Sequence, residues 1–161
     1  MLPLQGYTAD YDPQSVLKDA LFSQTPDDWF EHYFKFEDMS DPRQQELTRK
    51  IHAKFTVDQI YIRILHQRKI TAVASLAIEN GYSLLHNVVV DPTLRGKGLG
   101  KQLCRAALLK SVDCGATHMY LQVMHNNPVA INLYSKLGFK KQYTYYYVMN
   151  HADEFRKNVE N

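Results

Sequence analysis

The sequence predicts an α/β protein built on one mixed sheet, which is largely antiparallel, contains one parallel strand pair and is flanked by helices. Two observations lead to this fold class. Between Val57 and Val90 the residue pattern follows a period of two over three consecutive segments, as expected for neighbouring strands. A helix and a further strand follow, so that strand, helix and strand occupy roughly 40 residues, a crossover that makes its two strands parallel.

The N-terminal region, residues 1–56, is predicted to be helical. Pro26 and two acidic residues precede an aromatic run that begins at Trp29, a pattern typical of a helix start. A second helix is predicted from Pro42 to about Lys54, with Asp41 as its N-cap. This region therefore differs from the strand-rich segment that follows it.

Three antiparallel strands are predicted next, at residues 59–65, 70–78 and 82–90. Asn80-Gly81 separates the second strand from the third and is a typical hairpin turn. The crossover helix is predicted from Leu99 to about Gly115, and the parallel strand follows at residues 119–124. A short helix over residues 128–137 and a tyrosine-rich strand over residues 139–149 complete the predicted fold.

The composition is that of a globular protein, with 45% hydrophobic and 22% charged residues. A formal net charge of +2 is too small to attract nucleic acid or a membrane. Cys104 and Cys114 match neither a zinc site nor a disulfide framework, so no metal is expected. The N-terminus lacks the features of a signal peptide, and no stretch approaches the roughly 18 apolar residues of a membrane span. We expect a cytoplasmic protein.

Residues 95–101 read RGKGLGK, with three glycines and three cations at the predicted strand-to-helix junction. Glycines let the backbone approach a ligand, and free N–H groups at a helix start bind anions. The spacing excludes two nucleotide folds. Gln102 stands where a P-loop needs Ser or Thr, and Lys101 and Leu103 stand where a Rossmann motif needs its third glycine. A pyrophosphate suits this loop.

Two stretches of the chain form recognisable motifs: residues 88–100 read VVVDPxxRGxGLG, and residues 121–139 read LQVxxxNxxAxxLYxKxGF. The first resembles the acetyl-CoA loop of the GNAT superfamily of N-acetyltransferases, and the second matches another motif of that family at the expected separation. The resemblance covers residues 57–147 and implies the GNAT fold, with two splayed strands, and acetyl-CoA-dependent transfer of an acetyl group to an amine.

The resemblance also implies which residues bind acetyl-CoA. The backbone of Val88, Val89 and Val90 would lie along the pantetheine arm. The pyrophosphate would be held by the loop residues Arg95, Gly96, Lys97, Gly98, Leu99, Gly100 and Lys101. Asn127 matches an asparagine that contacts the cofactor, although Asn127-Pro128 is also a good helix N-cap.

Tyr134 matches the tyrosine that protonates the departing CoA thiolate in many family members. A phenol with a pKa of about 10 is a suitable acid for that thiolate, and the alternative is that Tyr134 only packs beneath the cofactor. Because neither cysteine lies in a motif, direct attack by the amine is expected rather than an acyl-enzyme. A backbone N–H near Val88 would stabilise the carbonyl oxygen.

The general base is less clearly indicated. Gln122 stands where N-terminal acetyltransferases acting on ribosomal proteins often carry Glu or His, and glutamine cannot accept a proton in that role. His86 is the first candidate, since strict alternation places it on the strand face of Leu84 and Val88. His125 and an ordered water are the alternatives.

In this family the helices before the sheet and the last strands select the substrate. Here those regions are rich in aromatic residues, namely Trp29, Tyr33, Phe34, Phe36, Tyr143, Tyr145, Tyr146 and Tyr147, of which about half are expected in the core. They also contain the acidic residues Asp27, Asp28, Glu37 and Asp38. An apolar or cationic amine, from a small molecule or a peptide, would suit such a surface.

The length of 161 residues suits a single domain, which with the resemblance is expected to be one GNAT acetyltransferase domain over residues 1–161. It would consist of a helical substrate region at about residues 1–56, an acetyl-CoA core at 57–147 and a C-terminal tail at 150–161. A homodimer formed through the tyrosine-rich last strand is a further alternative. Gln122 also leaves open a non-catalytic module of the same fold that binds acyl-CoA without turnover.

Overall fold

The computed structural model describes residues 1–26 and 28–146, which form one sheet with helices on both faces. The strands are β1 (Leu2–Pro3), β2 (Ala20–Ser23), β3 (Asp58–His66), β4 (Lys69–Glu79), β5 (Tyr82–Val90) and β6 (His118–Leu121). Their order across the sheet is β1-β6-β5-β4-β3-β2. Among the described strands β5 and β6 are the parallel pair, and every other pair of neighbours is antiparallel. The predicted mixed sheet is confirmed.

Five α-helices accompany the sheet in the described part of the chain. They are α1 (Pro13–Leu17), α2 (Trp29–Phe36), α3 (Pro42–Ala53), α4 (Leu99–Asp113) and α5 (Pro128–Lys136), with a 3-10 turn at Pro92–Leu94. The predicted cap of α3 is confirmed, because the Asp41 side chain accepts a hydrogen bond from the backbone N–H of Arg43 at 2.9 Å.

The antiparallel meander and the crossover agree with the sequence prediction. Asn80 and Gly81 form the hairpin between β4 and β5 with φ angles of 50° and 78°, the left-handed values that a two-residue turn requires. Helix α4 then connects β5 to the parallel strand β6, whose first pair with β5 joins His118 to Tyr82.

Three parts of the predicted fold are wrong. The N-terminal region is not wholly helical, since β1 pairs with β6 and β2 pairs with β3. Strands of two and four residues are too short to show a period, and their pairing depends on distant partners. Strand β6 ends at Leu121, and residues 139–146 form no strand. Residues 147–149 of that predicted strand lie outside the described residues.

Alternate residues of the strands belong to two apolar clusters on opposite faces of the sheet. On one face, called here the α4 face, even-numbered residues of β3 and β4 such as Ile62 and Ala74 pack with Leu103 and Leu108 of α4. On the other, the α2 face, the members are Trp29, Phe30, Phe34, Phe36, Tyr61, Val73 and Val89. The Trp29 Nε1–H donates to the Ala74 carbonyl oxygen at 2.9 Å and so fixes α2 to the sheet.

A β-bulge interrupts β5. Val89 pairs with Val73 of β4 but His86 pairs with Ser75, so β5 carries one extra residue between these pairs. Asn87, inside the bulge, has a φ of 53°. The extra residue reverses the alternation beyond it: Val88 packs against the α4-face cluster, whereas His86 stacks on a histidine of α3 on the α2 face. The predicted common face of His86 and Val88 is therefore wrong.

Candidate active site

The parallel strands separate midway along β5. Their pairing begins at Tyr82 and His118 and ends with Leu85 opposite Leu121, where β6 itself ends. Strand β5 continues to Val90, so residues 86–90 have no strand partner on this side in the described chain. The gap exposes a row of backbone N–H and C=O groups, as the predicted splayed pair requires.

The glycine-rich loop lies at the end of β5 that borders this gap. Gly96 and Gly98 have φ angles of 79° and 84°, and Gly98 is the N-cap of α4 without any side-chain cap. A Cβ added to either glycine would find no atom within 4 Å. The first turn of α4 has N–H groups without partners inside the helix, and it begins beside these two open glycine positions and the exposed Arg95 and Lys101.

Asp91 stabilises the turn that precedes this loop. Its carboxylate accepts hydrogen bonds from the Thr93 backbone N–H at 2.9 Å and from the Thr93 hydroxyl at 2.7 Å. These hydrogen bonds hold the pKa of Asp91 below its usual value. The turn is thus fixed by a residue of the VVVDP motif, immediately before the loop that offers its N–H groups.

The two predicted motifs meet at Gly100. A Cβ added there would lie 3.6 Å from Val90 Cγ2 and 3.5 Å from Leu133 Cδ2. The end of β5, the start of α4 and helix α5 are therefore in contact at this point. Helix α5 carries the residues of the second motif, so the structure brings Asn127 and Tyr134 to the same side of the gap as the loop.

Asn127 is the N-cap of α5. Its Oδ1 accepts a hydrogen bond from the Ala130 N–H at 3.1 Å, which confirms the N-cap alternative. The side chain is exposed, and its amide nitrogen is still available as a donor. The predicted cofactor contact is compatible with this arrangement and stays a prediction.

Tyr134 is half-buried on the inner side of α5. Its ring contacts Phe139 edge-on, with the ring centroids 5.9 Å apart, and packs against the α4-face cluster. Burial, with a smaller contribution from Cys104, raises the pKa of Tyr134 above its usual value. The hydroxyl therefore keeps its proton at neutral pH, which is the form a general acid needs.

Cys104 is fully buried in α4, and burial raises the pKa of its thiol to about 12. A thiol in this environment is not a nucleophile at neutral pH. Cys114 lies exposed at the opposite end of α4 from the loop. Neither position favours an acyl-enzyme.

His86 lies in a polar cluster beside the bulge. Its ring stacks on His52 of α3, with centroids 5.7 Å apart, and its Nδ1 is 3.2 Å from Asn87 Nδ2. Burial, and secondarily His52, lowers the pKa of His86 to about 4, so the ring is neutral at pH 7. Its Nε2 is buried and has no hydrogen-bond partner among the residues the structure describes.

His52, Asn87 and Tyr61 complete this cluster, and sequence reasoning missed all three. The Asn87 amide nitrogen lies 3.0 Å from His52 Nε2 and 3.2 Å from Ser75 Oγ, and His52 Nδ1 is 3.4 Å from the Tyr61 hydroxyl. Burial lowers the pKa of His52. Their position follows from the bulge and from the docking of α3, which no local pattern reveals.

The other predicted residues are dispersed. Gln122 and His125 lie in the exposed segment between β6 and α5. Asp28 pairs with Arg63 at 2.7 Å. Of the aromatic residues proposed for substrate selection, Trp29, Phe34 and Phe36 belong to the buried α2-face cluster, while Tyr143, Tyr145 and Tyr146 are exposed. Asp27 and Tyr147 lie outside the described residues.

Across residues 1–26 and 28–146, no three His, Cys, Asp or Glu side chains come together as a metal site. Over the same residues, the helices are too short or too polar to cross a membrane.

Known proteins share both the sequence motifs and the fold described above. The model of the acetyltransferase (GNAT) family matches residues 21–139. The chain is 31% identical over 111 residues to the uncharacterized N-acetyltransferase YobR of Bacillus subtilis (strain 168), a match covering 69% of this chain and 44% of that protein. It is 28% identical over 80 residues to the ribosomal protein bS18-alanine N-acetyltransferase of Salmonella typhimurium (strain LT2), covering 50% of this chain and 54% of that protein. The chain thus spans about half the length of these relatives.

Solved structures share the fold. The ribosomal-protein-S18-alanine N-acetyltransferase from Escherichia coli has a TM-score of 0.64 at 21% identity, covering 77% of this chain and 79% of that one. The aminoglycoside N-acetyltransferase AAC(6')-Iy, solved in complex with CoA, has a TM-score of 0.62 at 16% identity, covering 83% of this chain and 95% of that one. Because the family model covers most of the chain and these structures share its fold, the chain belongs to the acetyltransferase (GNAT) family, as its two motifs predict.

Proposed function

We propose that this protein transfers the acetyl group of acetyl-CoA to a primary amine of a small molecule or a peptide, by direct attack of the amine. The observation that carries the proposal is the gap between β5 and β6, because it opens beside an uncapped helix start at Gly98 and beside Tyr134. A cofactor with a pyrophosphate needs an anion site such as a helix start, and its long amide-containing arm needs free backbone groups such as those along the gap.

The residues present fit acetyl-CoA. The N–H groups of the loop and the start of α4, with Arg95, Lys97 and Lys101, would hold the pyrophosphate. The backbone of residues 88–90 would hydrogen-bond the pantetheine arm, and the Asn127 amide nitrogen would add a further donor. Acetyl-CoA supplies the activated acetyl group when it is bound. The residues of this chain would position the two substrates, donate hydrogen bonds to them and transfer protons.

Tyr134 is proposed as the general acid, because it occupies the motif position on α5 and its phenol is protonated at neutral pH. The Val88 N–H, next to the bulge, is proposed as the donor to the carbonyl oxygen. Proton removal from the amine is proposed to use His86 or an ordered water. If His86 is the base, the kcat/KM of the wild type should fall at low pH, with a midpoint near the His86 pKa of about 4. The pH profile of His86→Gln should lack this fall.

The proposal is tested by measuring thiol release from acetyl-CoA with polyamines, amino acids, aminoglycosides and N-terminal peptides, together with calorimetric titration of CoA. Thiol release that depends on one amine class supports the transferase. CoA binding without release on any amine would favour a non-catalytic acyl-CoA-binding module. Absence of CoA binding would overturn both functions.

A further inference from the structure

The bulge of β5 leaves two consecutive residues without a partner in the described sheet. Asn87 and Val88 are absent from the register with β4, and the pairing with β6 has already ended at Leu85. Ladder pairing therefore does not fix their backbone. Asn87 also has a φ of 53°, a left-handed conformation that asparagine adopts more readily than most residues. This conformation determines where the Val88 N–H, the proposed donor to the carbonyl oxygen, points.

The side-chain amide of Asn87 connects the bulge to the rest of the α2 face. Its Nδ2 lies 3.0 Å from His52 Nε2, 3.2 Å from Ser75 Oγ and 3.2 Å from His86 Nδ1. One amide thus joins β5 to α3 and to β4. Because Ser75 and His52 are buried, water competes little for these hydrogen bonds, and they hold the bulge more firmly than exposed ones would.

The amide nitrogen also determines which nitrogen of each histidine ring carries a proton. It is only a donor, so the two ring nitrogens that face it, His52 Nε2 and His86 Nδ1, accept through lone pairs. Burial lowers the pKa of both rings, which are neutral at pH 7 and carry one proton each, on His52 Nδ1 and on His86 Nε2. The Tyr61 hydroxyl agrees with this, since its oxygen lies 3.4 Å from His52 Nδ1 and can accept a hydrogen bond from it.

Ser75 favours this orientation of the amide. Its hydroxyl lies 3.5 Å from the backbone carbonyl oxygen of His86 and can donate to it, while its oxygen accepts from Asn87 Nδ2. If the amide oxygen stood in place of the nitrogen, the single serine proton would have to serve both oxygens. The nitrogen therefore faces the rings.

In this arrangement His86 has no lone pair for the proton of an amine. Its Nδ1 accepts from Asn87, and its Nε2 carries the proton and is buried. A general base needs a free lone pair within reach of the proton that it removes. An ordered water in the gap is then the group that takes the proton.

From these contacts we infer that Asn87 is a positioning residue for acetyl transfer. Its amide holds the bulge so that the Val88 N–H faces the carbonyl oxygen of the thioester, and it holds His86 in a tautomer that leaves proton removal to an ordered water. The inference rests on the proposed function. During transfer the N–C bond forms and the C–S bond breaks. The amine nitrogen loses one proton to water, and the thiolate gains one from Tyr134, which solvent restores.

Asn87→Gly tests the effect on the bulge, because glycine adopts a φ of 53° without strain and only the amide is lost. The assay uses an amine that the wild type acetylates. We expect kcat to fall about tenfold or more, with KM and the Kd for CoA nearly unchanged, since the Val88 N–H acts in the transition state. Asn80→Gly is the matched control. It makes the same change at a φ of 50° in the exposed hairpin at the other end of β5, and it should keep the wild-type kcat.

Nitrogen NMR of the histidine rings tests the effect on the tautomers and needs no substrate. In the wild type we expect the His86 proton on Nε2 and the His52 proton on Nδ1. Asn87→Asp replaces the donor with a carboxylate, which only accepts, and should therefore place a proton on His86 Nδ1. The His86 signals are identified by their loss in His86→Gln.

The outcomes separate this inference from the proposed function. A wild-type kcat in folded Asn87→Gly, or a wild-type His86 ring protonated on Nδ1, would overturn the inference and leave acetyl transfer intact. If Asn87→Gly does not fold, as judged by circular dichroism, kcat is measured in Asn87→Asp, where a wild-type value would equally overturn it. Failure of the wild type to bind CoA in the titration would overturn the proposed function, and the inference with it.

Discussion

At the scale of single residues, the hydroxyl of Tyr134 makes the most direct prediction. Tyr134→Phe removes the proposed acid and keeps the ring that packs against Phe139. We expect kcat to fall on the order of 10²-fold, while the Kd for CoA changes little. Single-turnover kinetics and calorimetry measure the two quantities. A kcat equal to that of the wild type would remove Tyr134 from the mechanism.

Gln59 gives a second prediction, which concerns the stability of the fold. Gln59→Leu replaces two unpaired buried polar atoms with apolar ones of similar size, so the free energy of unfolding should rise by about 1 kcal/mol. Urea denaturation measures this change.

Gln45 provides the contrast for that variant. Its Nε2 donates a hydrogen bond to the Met39 carbonyl oxygen at 2.7 Å, so Gln45→Leu should lower stability. A loss of stability in Gln59→Leu as well would mean that the Gln59 amide also forms hydrogen bonds that stabilise the fold.

At the scale of elements, the loop before α4 combines backbone conformation with anion binding. Gly98→Ala places a side chain at a φ of 84°, which destabilises the fold by about 1 kcal/mol, although no atom lies close to the new Cβ. That Cβ would project into the space proposed for the pyrophosphate. We expect the Kd for CoA to rise at least tenfold, as measured by calorimetry.

Gly115 is the matched control for this prediction, because it has a φ of 77° and equally open surroundings beyond the other end of α4. Gly115→Ala should cause a similar loss of stability and no change in CoA affinity. If both variants bound CoA as the wild type does, the loop would not hold the pyrophosphate.

The elements also show where sequence reasoning succeeds. The hairpin at Asn80-Gly81, the cap at Asp41 and the start of α4 are set by local chemistry, and the structure has them where the sequence predicts them. Strands β1 and β2 were missed because they exist only through pairing with β6 and β3. The bulge at Asn87 was missed because one inserted residue leaves the local composition of a strand unchanged.

At the scale of the whole molecule, the candidate site also combines parts set by local sequence with parts that depend on tertiary contacts. Motif positions predict the loop, Asn127 and Tyr134 as site residues, because these positions are defined by local sequence at the ends or along one face of single helices. The cluster of His52, Asn87 and His86 combines α3 with a strand about 35 residues away and depends on the bulge, so it became visible only in the folded chain. This cluster depends on tertiary contacts that no local pattern reveals.

The two neutral histidines also link the stability of the fold to pH. Burial lowers the pKa of both His86 and His52 in the folded state, His86 to about 4, whereas an unfolded chain protonates histidine near 6.5. Above pH 6.5 neither state binds these protons. As the pH falls from 6.5 towards 4 the unfolded state takes them up first, so stability decreases, by roughly 1 kcal/mol per pH unit for His86.

Urea denaturation between pH 7.5 and 4.5 measures this effect. The wild type should lose stability progressively below pH 6.5, and His86→Gln should show a shallower loss because one of the two buried groups no longer titrates. His66→Gln, an exposed site at the end of β3, should keep the wild-type slope. Equal slopes in the wild type and in His86→Gln would mean that His86 is as accessible to protons in the folded chain as in the unfolded one, and that the cluster beside the bulge is open to water.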